Sequence, residues 1–194
     1  MAAGKVCTGF SKPYVAKYGL DSSQQVKYTE GQLLARGVDV SASAETATDN
    51  NFYADNIIAE NANGVFTSGE VTLTVDGLKA AAERLIMGLP AAGSDGFIAY
   101  DDDQAVPDVG IGFVVRYMED GVTSYCPVIF PRAAFQSVGI DAATQEDQIS
   151  FQTRSLTATI KRSEDAKRTW KLVGADVATE ALAEAAIKTY FSIQ

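Results

Sequence analysis

Two apolar segments joined by one turn set the tightest limit on how this chain folds. Residues 111–118 and 122–130 are apolar on both faces and flank Asp120-Gly121. That dipeptide readily takes the positive φ angles of a two-residue hairpin turn. The pattern predicts a central β-hairpin, and Val109-Gly110-Ile111-Gly112-Phe113-Val114-Val115 reads as its first buried strand.

Other segments alternate with a period of two. Leu34, Val38, Val40, Ala42 and Ala44 share one face, while Gly37, Asp39, Ser41, Ser43 and Glu45 share the other, which predicts a long half-buried strand. Val71, Leu73 and Val75 alternate with Glu70, Thr72 and Thr74 in the same way. The apolar parity switches between Ile149 and Ile160, predicting a bulge or bend. A last hairpin is expected to return through Thr169, Trp170, Lys171 and Leu172.

Two helices interrupt the strands. Asp76 is placed as an N-cap, Leu78, Ala81, Ala82, Leu85 and Ile86 recur at helical spacing, and Gly88 and Pro90 supply the stop. After Asp176, the stripe Leu182, Ala183, Ala186, Ile187, Tyr190 and Phe191 predicts a second helix that docks on its own domain. Residues 46–68, rich in Asn, Asp and Gly, exceed a tight turn and predict a projecting arm built around residues 52–58. The expected organisation is one domain over residues 1–175, carrying that arm, and a C-terminal helix over 176–194.

Composition removes several kinds of chemistry. The 194 residues include no His, which leaves no Ser-His-Asp or Cys-His triad and no imidazole general base. Gly110-x-Gly112 lacks a third glycine and enters a strand rather than a helix, so it does not fit a dinucleotide loop. Asp101, Asp102, Asp103 and Asp108 supply oxygens but miss the spacing, turn glycine and closing Glu of an EF-hand, and read as an exposed acidic loop. Cys7 and Cys126 form no C-x-x-C pair and read as reduced structural thiols. No cofactor and no metal are expected. No apolar run approaches the ~20 residues of a membrane span, and no continuous apolar stretch precedes Ser11, Lys12 and Pro13, so a secretory signal is not expected.

Charge is unevenly placed. The net charge is -9, with 25 acids against 16 bases; residues 37–147 hold 18 acids and 4 bases, while the flanks carry a net positive charge. Solvated loops account for such a layout, and so do opposite faces that meet in self-association or an acidic wall that repels a polyanion. Lys161, Arg162, Lys167, Arg168 and Lys171 bracket one turn beside Trp170 and are read as an assembly surface or a plain solvated hairpin.

The order of segments resembles the major tail proteins, or tail tube proteins, of long-tailed phages and prophages of Gram-positive bacteria. Asn51-Phe52-Tyr53-Ala54-Asp55-Asn56 with Glu60, then Gly69-Glu70-Val71-Thr72-Leu73-Thr74-Val75-Asp76 entering a helix that ends at Gly88, carry the first part of the likeness. The run from Val109 to Tyr117, then Tyr125-Cys126-Pro127-Val128-Ile129-Phe130-Pro131-Arg132-Ala133-Ala134-Phe135, Ile149-Ser150-Phe151-Gln152-Thr153 and Trp170-Lys171 carry the rest. The helical stretch after Asp176 departs from the shorter ending of that family.

The resemblance implies a mainly β (α+β) protein: an antiparallel β-sandwich, barrel-like in its tube form, with one flanking helix and here a C-terminal helix. It implies a non-enzymatic virion protein made in the host cytoplasm, whose homohexameric rings stack into a tube that conducts DNA without binding it specifically. Tape measure protein, tail terminator and baseplate or distal tail proteins are the implied partners, and no membrane is. Asp39, Ser41, Ser43 and Glu45 are then candidates for the lumen, and Asp49, Asn50, Asn51, Phe52, Tyr53, Asp55 and Glu60 for an inter-ring arm. The tube of a contractile injection system or bacteriocin shares this reading. A carbohydrate-binding or adhesin β-sandwich, with Trp170 as a sugar platform, is the alternative from another class, and a carboxylate-based enzyme is the third.

Overall fold

The computed structural model describes residues 4–46, 50–54, 57–62, 66–137, 139, 144 and 151–193, with the strands between 50 and 62 given by their backbone alone. In chain order the elements are β1 (Val6–Leu20), β2 (Val26–Leu33), β3 (Gly37–Thr46), β4 (Asn50–Ala54), β5 (Ile57–Ala62) and β6 (Phe66–Val75). Helix α1 (Ala80–Met87), β7 (Val109–Glu119), β8 (Val122–Phe135), β9 (Arg154–Lys161), β10 (Leu172–Val173) and helix α2 (Glu180–Tyr190) follow. The protein is mainly β, with an antiparallel main sheet ordered β2-β1-β7-β8-β9-β6-β3 and β10 added to β8.

The predicted central hairpin is β7–β8. Asp120 (φ 47) and Gly121 (φ 80) both occupy the left-handed region, and Glu119 pairs with Val122 across them. Its two apolar faces have two different covers. On one side Ile111, Phe113, Val115, Cys126, Val128 and Phe130 join the main core, with Val71, Leu73 and Val75 of β6 and Leu156, Ala158 and Ile160 of β9. On the other, Val114 and Ile129 join Tyr14, Ala16 and Tyr28 beneath Ala183 and Ile187 of α2 and Phe191, which follows its last turn. The C-terminal helix therefore docks on its own domain, but through a narrower stripe than the spacing predicts: Ala183, Ile187 and Phe191 are buried, whereas Leu182 and Ala186 face outward.

The strand order also forces the sheet to curl. β2 and β3 are its two edges, yet only residues 34–36 join them. Those residues span roughly 14 Å at most, whereas a flat seven-stranded sheet would hold its edges about 29 Å apart. The edges accordingly approach each other at this end. The start of β3 lies against β1, where a side chain added at Gly37 would collide with the Phe10 ring.

Four local expectations are corrected. The strand through Leu34 and Val38 does not run as one alternating ribbon: β2 stops at Leu33, and the β3–β6 register shifts between Gly37 and Asp39. The bulge turns Val38 outward while Leu34 stays buried. Asp76 does not cap α1, which begins after Lys79 without a side-chain cap. Its carboxylate instead takes the Arg36 backbone N–H at 3.0 Å and Arg36 Nε at 2.6 Å, fastening the β2–β3 connection to the end of β6. The return strand through Leu172 pairs with β8, not β9, because β9 covers only residues 132–135 of β8 and leaves Val128 and Ile129 open. Finally, β9 pairs with β6 without a bulge from Arg154 onward; Phe151 precedes the strand as exposed coil, and Ile149 lies outside the described residues. Gly88 (φ 68) ends α1 as expected, since its left-handed conformation suits glycine.

Candidate assembly surfaces

A polar wall forms on the face of the sheet opposite the core. Directly opposed residues of antiparallel strands share a face. The register lines up Asp39, Thr74 and Ser155 in one row, Ser41, Thr72 and Thr157 in the next, and Ser43, Glu70 and Thr159 in a third. Glu45 follows opposite Ser68, whose hydroxyl donates to its carboxylate at 3.0 Å, and the Thr72 and Thr157 hydroxyls lie 3.4 Å apart. The structure thus brings Asp39, Ser41, Ser43 and Glu45 together, all exposed. It extends them with Thr157 and Thr159, which the sequence reading passed over although they alternate with Leu156, Ala158 and Ile160. Lys161 closes the far edge of the wall and is paired with Asp108 at 2.7 Å.

The strand that carries the four candidates is itself open. Among the described residues no strand pairs with the outer edge of β3. Val40 is half-buried, but Ala42 and Ala44 on the same side are exposed. The second half of β3 therefore offers one free row of backbone donors and acceptors and a thin apolar face.

The predicted arm contains a hairpin of its own. β4 and β5 pair with each other, Asn50 opposite Ala62, Asn51 opposite Asn61 and Phe52 opposite Glu60, with a register shift before Tyr53. They form a separate two-stranded sheet. Asp49 and Asp55 lie outside the described residues.

The five basic residues do not form one surface. Lys161 is bound to Asp108, and the Arg162 guanidinium donates to the Phe66 carbonyl. The turn after them is wound around Asp165, whose carboxylate accepts the backbone N–H groups of Lys167 (3.0 Å) and Thr169 (2.9 Å). Burial pushes the Asp165 carboxyl upward, but the hydrogen bonds from Thr169 and Lys167 outweigh it and hold it below the ordinary range. Lys167, Arg168 and Lys171 are exposed and, among the described residues, are in no ion pair, whereas the exposed Lys161 is held by Asp108. The Trp170 ring stacks on Phe66 at 4.5 Å, nearly parallel, so that face is not open to a sugar.

The remaining motifs have structural roles. A side chain at Gly110 would strike Phe191, and a Cβ at Gly112 would come within 2.7 Å of Ile187. The two glycines are the seat of α2. Asp108 accepts from Arg132 Nε at 2.6 Å as well as from Lys161. Burial raises the Asp108 carboxyl, but those two cations prevail and hold it below the usual carboxylate value. No group of three or more metal-ligating side chains stands together among the described residues. Cys7 is exposed and Cys126 buried, both free, and burial pushes the Cys126 thiol up. No described helix is long and apolar enough to cross a membrane. A scan of known protein families finds no model that matches this chain, and a search of curated proteins finds no match.

Proposed function

We propose that this chain is a structural subunit of a phage-type tail tube, acting by assembly without catalysis. Homohexameric rings of it stack into a conduit for DNA, and the curled sheet serves as a barrel-like sandwich whose wall faces the lumen.

The observation that carries this proposal is the wall across β3, β6 and β9, where Ser and Thr hydroxyls alternate with Asp39, Glu45 and Glu70 and no base interrupts them before Lys161. DNA is held mainly through its phosphates by Lys and Arg. A surface of hydroxyls and carboxylates gives a duplex no grip, which suits a passage and not a binding site. The open edge of β3 adds a means of joining neighbours, because unpaired backbone groups accept another strand. A head-to-tail contact of this kind closes into a ring when its rotation divides a full turn.

The resemblance in segment order supplies the family and the hexamer, together with the tape measure protein, terminator and baseplate or distal tail proteins as partners in the virion. The tube of a contractile injection system or bacteriocin would use the same surfaces. The stacked Trp170–Phe66 pair weighs against the sugar-binding alternative. Electron microscopy of the concentrated protein tests the proposal: hollow rings or tubes support it, and solid or amorphous particles from folded protein contradict it.

A further inference from the structure

At the end of the sheet where β9 begins, three aromatic side chains stand in the open. Phe97 is 77% exposed, Phe151 89% and Tyr100 57%. Phe97 and Tyr100 line one hollow with Gln152 and Arg154, and Phe151 immediately precedes Gln152. The rings present on the order of 400 Å² of apolar surface, the size of the largest apolar patch on an ordinary monomer, which is often a functional one. Asp95, Asp101, Asp102 and Asp103 flank them in sequence, all exposed, and none is in an ion pair among the described residues.

The other end of β9 has the complementary chemistry. Its last residue leads into the turn that exposes Lys167 and Arg168, and Lys171 precedes β10, where Leu172 and Val173 are exposed. The acids of this turn offset that charge only in part: Glu164 is bound to Arg132 at 2.6 Å, and Asp165, held ionised by the backbone N–H groups of Lys167 and Thr169, stands alone against Lys167, Arg168 and Lys171. The eight residues of β9 set the two surfaces about 23 Å apart along the strand.

We propose that these two surfaces bind each other between successive copies of this chain, the acidic aromatic end of one against the basic turn and β10 of the next. This is the ring-to-ring contact of the tube and rests on that reading for its setting. An aromatic patch flanked in sequence by four unpaired carboxylates fits a partner that is both basic and apolar, and the same molecule carries one at its opposite end. Nucleic acid is a poor occupant, because the carboxylates repel phosphate. Two unlike surfaces at opposite ends make a heterologous contact, which repeats without closing and gives the polymer a direction.

Charge reversal tests the contact on the full chain. D101K/D102K/D103K makes both ends basic, and K167E/R168E/K171E makes both ends acidic. Each variant alone should lose self-association in sedimentation at low salt by on the order of tenfold or more, while circular dichroism shows both still folded, since all six side chains are exposed and only Asp101, which accepts the Asp103 N–H, and Lys171, which lies over the Phe130 ring, give up a local contact. Mixed in equal amounts they should recover it as an alternating copolymer. A second pair, Phe97→Ser with Phe151→Ser, should weaken association without changing its salt dependence. Wild-type protein that stays monomeric at about 1 mM, variants that associate alone like wild type, or a mixture that fails to recover would each overturn the contact. A recovered copolymer without a lumen keeps the contact and discards the tube; tubes formed by either variant alone discard the contact and keep the tube.

Discussion

The Phe191 ring occupies the space that a side chain at Gly110 would need. β7 is glycine at two positions on that face because a helix lies on it, with Ile187 over Gly112. Gly110→Ala and Gly112→Val should each lift α2 from the sheet and destabilise the fold by roughly 1–3 kcal/mol, the usual cost of overpacking. Phe191→Ala should cost about 3–5 kcal/mol by leaving a cavity. Denaturant unfolding gives the magnitudes, and faster proteolysis within α2 identifies the site of damage.

Glu184 ties the same helix to β1. The Tyr14 phenol donates to it at 2.5 Å, and Lys188 and Lys12 stand at 3.2 and 3.4 Å. The Tyr14 hydrogen bond holds the Glu184 carboxyl below its ordinary value against a smaller upward push from burial, with the two lysines adding to the effect. A carboxyl lowered by folding stabilises fully above its unfolded value of about 4.3 and loses that contribution as pH falls through the folded value. The protection factors of the α2 amides, after correction for the intrinsic pH dependence of exchange, should therefore fall in acid, starting near pH 4. Glu184→Gln should cost roughly 1–2 kcal/mol at neutral pH and flatten this acid limb. An acid limb unchanged in Glu184→Gln would assign it to another carboxyl.

Asp108 joins three strands, since it starts the chain into β7 and binds Arg132 of β8 and Lys161 of β9. Asp108→Ala should cost about 1–2 kcal/mol by removing the acceptor shared by the half-buried Arg132, which keeps Glu164, and the exposed Lys161, while Asp108→Asn, which keeps an acceptor, should recover part of it. Because the folded carboxyl is held low, the wild-type advantage over Asp108→Asn should be present at neutral pH and vanish in acid. Thermal melts at pH 7 and pH 3 measure both statements.

How much of this was legible in the sequence follows from the range of the forces involved. The β7–β8 hairpin was readable because Asp120-Gly121 and the apolar strands beside it are local signals. The stripe of α2 was readable for the same reason, and so was the alternation that sets Asp39, Ser41, Ser43 and Glu45 on one face. Val38 was misread because one extra residue in a strand leaves the composition of the alternation intact while reversing its faces. Asp76 was misassigned because its partner, Arg36, is 40 residues away. The basic cluster dissolved for a similar reason: Asp108 and the Phe66 carbonyl, both distant in sequence, claim Lys161 and Arg162.

Thr46 and Phe66 are pair partners at the base of the arm, so residues 47–65 can be replaced by an Asn-Gly turn without disturbing the β3–β6 ladder. The shortened chain should melt within a few degrees of wild type, because β4 and β5 pair only with each other among the described strands. If the arm links rings, the shortened chain should fail to elongate. Normal tubes from it would remove the arm from the assembly.

The central claim is that the hydroxyl and carboxylate wall lines a conduit, and an electron cryo-microscopy reconstruction of the assembled polymer tests it most directly. The account predicts a hollow tube of sixfold rings in which Ser41, Thr72 and Thr157 face the lumen and α2 lies away from it. A polymer without a lumen, or one whose outer surface carries that wall, would contradict it.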